Sequence, residues 1–76
     1  MDAEEIHIGK VIRQHMKTQG RSPSWLSKKL NCHRSNIYKI FENSNMDVSL
    51  LIRICKICNY NFFDDISILI KKQIDQ

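Results

Sequence analysis

Residues 34–42 read Arg-Ser-Asn-Ile-Tyr-Lys-Ile-Phe-Glu. A helix here, at about 100° per residue, puts Ile37, Ile40 and Phe41 on one side. Ser35, Tyr38, Lys39 and Glu42 then point away from that side, with Asn36 on its flank and Arg34 in the first turn. This outward set is rich in hydrogen-bond donors. Arginine or lysine pairs with O6 and N7 of guanine, and asparagine with N6 and N7 of adenine. A good bidentate pair discriminates between bases by roughly 1–3 kcal/mol. The chemistry of this face therefore suits the edges of base pairs.

The charge around it points the same way. The 76 residues carry a net charge of +4, unevenly distributed. Lys10, Arg13, Lys17, Arg21, Lys28, Lys29, Arg34 and Lys39 all fall between positions 10 and 39, where there is no Asp or Glu, so that stretch carries +8. The remaining four cations stand against all eight acids, which leaves −4. Such asymmetry marks a face for a polyanion.

Other candidate chemistry is thinner. Cys55-Lys56-Ile57-Cys58 is a CxxC, and Cys32-His33 invites a four-ligand metal site. Against this, Cys55 and Cys58 lie at i, i+3 on the inner side of their helix, where thiols act as small apolar fillers. Neighbouring Cys32 and His33 cannot easily face one ion. Neither a metal nor a cofactor is expected. His7, His15 and His33 form no constellation, and no nucleophile–base set, paired carboxylates, GxGxxG or HExxH is present, so the reading is not that of an enzyme. An odd cysteine count gives no disulfide framework and suits a reducing compartment. The acidic start MDAEE resembles neither a secretory signal nor a transit peptide, and no apolar run reaches the roughly 18–20 residues of a membrane span. Cytoplasmic residence is the expectation.

The elements that must position these groups follow from periodicity and caps. With only two Gly and one Pro, 42% apolar and 26% charged residues, the chain has the composition of one small helical domain. A first helix is expected over about 4–18, with Ile8, Val11, Ile12 and Met16 inward and Asp2, Glu4 and Glu5 near its positive end, and Gly20 just past its close. Ser22-Pro23 starts a second over 23–30 that buries Leu26 and Leu30. A third covers 34–42. Asp47 caps a fourth over 48–58, with Val48, Leu51, Ile54, Cys55 and Cys58 inward. A fifth spans 62–74, with Ile66, Leu69, Ile70 and Ile74 as its main apolar side. The picture is five helices and no strand.

Between the second and third helices lies a very short break, Asn31-Cys32-His33. The run Leu26, Ser27, Leu30, Asn31, Ile37 and Ile40, followed by LIRICKICNY, resembles the Cro and phage-repressor (XRE-type) helix-turn-helix family over about residues 6–66. Ser27 stands where the family has a small residue and Asn31 where it has the turn glycine. Asparagine is the non-glycine residue that best tolerates the left-handed conformation such a turn needs. The resemblance implies an all-α, five-helix lambda-repressor-like fold. It divides the chain into a tail at 1–5, a helix-turn-helix domain at 6–60 and a C-terminal helix at 61–76.

In function it implies a repressor-like transcriptional regulator that binds double-stranded DNA, usually as a dimer. By the resemblance, Arg34, Ser35 and Lys39 occupy base-reading positions. Asn36 and Tyr38 are open either to base reading or to the backbone and groove wall. Lys10, Arg13, Lys17, Arg21, Lys28 and Asn43 become candidate phosphate contacts, with His33 near the start of the third helix. The family often opens its second helix with a phosphate-holding glutamine, and here stands Pro23. The amides of Ser24 and Trp25 remain for a phosphate, while the Trp25 ring is expected to cover the junction of the first two helices. Phe62, Phe63, Ile68 and Ile74 either form surplus apolar surface at a homodimer contact or close the monomer core. The rival reading is an antitoxin-like protein-interaction module on the same fold. RNA binding is disfavoured because no aromatic platform for stacked bases is evident.

Overall fold

The computed structural model describes residues 5–75, which form five helices and, among those residues, no strand: α1 (Ile8–Thr18), α2 (Pro23–Leu30), α3 (Arg34–Glu42), α4 (Val48–Cys58) and α5 (Phe62–Ile74). Ile12 and Met16 of α1, Leu26 and Leu30 of α2, Ile37 and Phe41 of α3, Leu51, Ile54 and Cys58 of α4, and Phe62 of α5 make one buried cluster. Fully burying a large aliphatic or aromatic side chain contributes about 1.5–3 kcal/mol, so nine such positions, with Cys58 filling space among them, account for the cohesion of a domain this small.

Three helices end in the same way. At Gly20 (φ 70°), Asn31 (φ 55°) and Asn59 (φ 53°) the chain turns left-handed. The next residue's amide then reaches back: Arg21 to the Met16 carbonyl, Cys32 to Ser27 and Tyr60 to Cys55, at 2.9–3.0 Å. These are Schellman closures, which satisfy carbonyls that the helix leaves open. Asn31 thus takes the conformation expected of it, and Asn59 does the same between α4 and α5. Asn31→Gly should keep full stability, whereas Asn31→Ala should lose about 1 kcal/mol in urea denaturation, because a Cβ without a local hydrogen-bonding group disfavours that region. Equal stability of the two variants would rule out a left-handed requirement.

The starts of the helices are capped by side chains. Ser22 Oγ accepts from the Trp25 amide, Asp47 from Leu50, and Asn61 from Phe63. The Ser49 hydroxyl and the Leu50 amide hold the Asp47 carboxyl below the usual carboxylate range. Histidine caps the other two helices. His7 Nδ1 accepts from the Lys10 amide at the head of α1, and His33 Nδ1 from the Ser35 amide at the head of α3.

Three expectations about the elements need correction. Helix α1 begins at Ile8, not near residue 4, and Glu5 lies outside it; the placement of Asp2 and Glu4, like the first four residues of the tail, lies outside the described residues. The reason is tertiary. Ile8 and Gly9 donate to the carbonyls of Ser44 and Asn43 at 3.2 and 3.0 Å, and the amides of Lys10 and Val11 bond to His7. All four amides at the head of α1 therefore have partners, two of them just beyond the end of α3. The positive end of α1 meets the negative end of α3, so no acid is needed there.

On α4, Val48 is 60% exposed rather than inward; it is the first helical residue, beyond the reach of the core stripe Leu51, Ile54 and Cys58. On α5, Phe62 is fully buried rather than surplus, while Ile70 and Ile74 face solvent. The start of this helix and its Ile66–Leu69 side reach the body of the protein.

Candidate nucleic-acid interface

Helix α3 is held from both ends and below. Ile37 and Phe41 are buried, and Ile40 packs against the core. At its start the three-residue turn follows Leu30; nearly one helical turn earlier stands Ser27, only 7% exposed, whose hydroxyl donates to the Ser24 carbonyl at 2.8 Å. A small side chain at this buried position suits the packing of α2 against α3. At its far end the Nε2–H of His7 donates to the Glu42 carbonyl at 3.1 Å.

On the outer side Arg34, Ser35, Asn36, Tyr38 and Lys39 are all exposed. They form one face, as the spacing requires, but they are not equally available. The Ser35 hydroxyl lies 2.9 Å from His33 Nδ1, which also accepts the Ser35 amide. Ser35 is therefore engaged in the cap. With Nδ1 accepting, the neutral His33 ring carries its proton on Nε2, a donor at the helix tip. Tyr38 lies edge-on to Phe41, ring centroids 6.4 Å apart, and leans toward α1 rather than straight outward. Arg34, Asn36 and Lys39 make no side-chain hydrogen bond among the described residues.

The phosphate candidates divide into groups. Arg13, Lys17 and Arg21 come together with Tyr38 around a cavity of about 210 Å³ whose other walls are Met16, Pro23 and Phe41. The Arg13 guanidinium stands 5.9 Å from the centre of the Phe41 ring. Arg21 stacks 4.3 Å over the Trp25 ring and donates one of its five N–H groups to the Cys58 carbonyl at 3.3 Å, which ties the head of α2 to the end of α4. Lys10 is separated from them; it lines an open groove of about 550 Å³ between α1 and α5, with Val11, Asp65 and Ile68. Lys28 is exposed at the end of α2. Asn43 closes α3, and its carbonyl accepts from Gly9.

At the start of α2 one expectation changes. Pro23 has no amide hydrogen, and the Trp25 amide is already donated to Ser22 at 3.1 Å. Of the pair Ser24 and Trp25, the Ser24 amide alone is left by the cap. The Arg21 guanidinium and the Lys29 ammonium stand 4.3 and 5.9 Å from the centre of the Trp25 ring, which packs against the core.

The cysteines are free thiols, Cys58 buried and Cys32 and Cys55 half-buried. Burial pushes the Cys58 thiol up, against the pull of the Arg21 charge. Among the described residues no three His, Cys, Asp or Glu side chains converge as metal ligands, and no helix is long and apolar enough to cross a membrane.

Two features were not foreseen from the residues. One is the contact of α1 with the end of α3 through His7 and Gly9, for which an isolated glycine inside an apolar helical stripe was the available signal. The other is the convergence of Tyr38 with the α1 cations, for which the order of residues carries no signal. In comparisons with protein families, characterised proteins and solved structures, nothing matches the chain.

Proposed function

We propose that the protein is a sequence-specific double-stranded DNA-binding domain of lambda-repressor-like architecture, acting as a repressor-like transcriptional regulator in the cytoplasm. Helix α2, the Asn31 turn and α3 act as a helix-turn-helix, and α3 enters the major groove. The observation that carries this reading is the exposed donor face of α3 beside the Arg13–Lys17–Arg21 cluster, in a stretch without acids from Lys10 to Lys39. A nine-residue helix is about 13 Å long, comparable to the major groove, about 12 Å wide. Arg34, Asn36 and Lys39 are its base readers. Ser35 shapes the tip with His33, whose Nε2–H meets phosphate, and Lys28 and the Ser24 amide hold the flanking backbone.

One such helix touches few base pairs, so two copies bind half-sites about 34 Å apart. Helix α5 supplies the contact between copies, through exposed Phe63, Ile68, Ile70 and Ile74. Its charges set the direction. Asp64 and Asp65 lie in the first turn, Lys71 and Lys72 in the last. An antiparallel pair of α5 helices sets acids against lysines, whereas a parallel pair sets like against like.

The test is selection from random duplex DNA, followed by a salt titration on the selected site. Lys39→Ala should relax one base position by about 1–3 kcal/mol. Lys17→Ala should weaken all sequences alike and reduce the salt slope by about one. If the two variants behave alike, α3 is not the reader. Weak binding without sequence preference would favour the protein-interaction module instead.

A further inference from the structure

The cavity between α1, the start of α2 and α3 has the features of a built anion site. Its three charged lining residues, Arg13, Lys17 and Arg21, are all cations, and no carboxylate lines it. Like charges around one small space repel, and nothing on the cavity wall neutralises them; a bound anion removes that repulsion. At about 210 Å³ it is below the roughly 300–1,000 Å³ of pockets that take drug-sized organic molecules, so it suits a compact group.

Its guanidinium groups are held in place in advance. Arg13 rests over Phe41 and Arg21 over Trp25, so binding freezes fewer rotamers than it would for free surface side chains. Planar guanidinium also matches phosphate oxygens better than an ammonium does.

We propose that this cavity seats one phosphodiester of the bound DNA strand, held by Arg13, Lys17 and the Tyr38 hydroxyl, with Arg21 as its charged wall. The proposal rests on the DNA-binding reading and changes the role of Tyr38. That residue projects from the reading helix, yet it lines the cavity and packs on Phe41. It reads no base. It grips from α3 the same phosphate that Arg13 and Lys17 grip from α1, an anchoring contact that carries no sequence information itself. The site takes over the anchoring that the head of α2, with Pro23 and a single remaining amide, is poorly equipped to give.

The experiment replaces phosphates of the selected duplex one at a time by neutral methylphosphonate. In the wild-type protein, one position per half-site should cost roughly tenfold or more in affinity, the range of a hydrogen-bonded charged contact. Arg13→Gln, Lys17→Gln and Tyr38→Phe should each abolish most of the penalty at that one position, while Lys28→Gln leaves it intact. Tyr38→Phe keeps the ring against Phe41, so the fold is preserved, and its base preferences in selection should be unchanged. The proposal is overturned if the three variants retain the full penalty at every position, or if Tyr38→Phe alters base preference.

Should no duplex be selected, the DNA-binding reading fails. Titration of the protein with inorganic phosphate at constant ionic strength, followed by NMR, then decides the cavity alone. Saturable shifts confined to Arg13, Lys17 and Tyr38 uphold an anion seat, and equal small shifts at all exposed lysines overturn it.

Discussion

Gly9→Ala is expected to destabilise the protein by about 3 kcal/mol or more, a fall in Tm of roughly 12–24 °C for a domain of this size. Local propensity predicts the opposite sign, since alanine exceeds glycine by about 1 kcal/mol inside a helix. The site overrides propensity. A Cβ on residue 9 would come within 3.0 Å of the carbonyl oxygens of Ile40, Phe41 and Asn43. These are backbone atoms at the end of α3, and they cannot swing aside as a side-chain tip could. Relief requires α1 to lift away, which breaks the Gly9 and Ile8 bonds to Asn43 and Ser44 and the His7 bond to Glu42.

Circular dichroism melts of wild type and variant measure this directly. An unchanged or raised Tm would show that α1 and α3 do not approach as described. The same lift would separate Arg13 and Lys17 from Tyr38, so whatever G9A remains folded should bind DNA more weakly without changed base preference.

The second large effect is expected at Phe62. Truncation to alanine should cost about 3–5 kcal/mol, a large fraction of the roughly 4–11 kcal/mol that holds a chain of this length together. Phe62 is fully buried at the start of α5 and meets two other rings. His15 stacks on Tyr60 at 4.0 Å, and both approach Phe62 edge-on, at 5.2 and 5.0 Å. Tyr60 also donates to Asp65 at 2.7 Å, which closes the cluster over the first turn of the helix. Removing Phe62 takes away the ring that joins α5 to α1 and the core.

Further along α5 the expectation reverses. Ile74 is 74% exposed, so Ile74→Ser should leave the monomer's stability within about 0.5 kcal/mol. It should instead shift analytical ultracentrifugation profiles from dimer toward monomer. Loss of stability in both variants would make the whole helix part of the monomer core. A wild-type monomer at high concentration, with DNA absent and present, would end the dimer proposal.

How much of this was legible in the residues depends on range. The bounds of α2 to α5 follow from Ser22-Pro23, Asp47 and the apolar spacings, because caps and periodicity act over one or two turns. The outward set on α3 was legible for the same reason. Histidine caps were not, since histidine is not among the usual capping residues, and the Glu42 carbonyl that holds the His7 ring lies 35 residues away. The division of α5 into a buried start and an exposed end was also hidden. Its apolar residues run round more than one face, and only the neighbouring helices select which are covered.

Taken alone, the order of residues determined five helices, the left-handed turn at Asn31, the acid-free basic stretch and the donor face of α3, all consequences of local geometry and charge. The tertiary structure decided which cations act together. It placed Arg13 and Lys17 beside Tyr38, turned Lys10 toward α5, and committed Arg21 to Trp25 and Cys58. The physical reason is that a helix fixes the direction of each side chain, while the packing of helices against one another fixes what that direction meets.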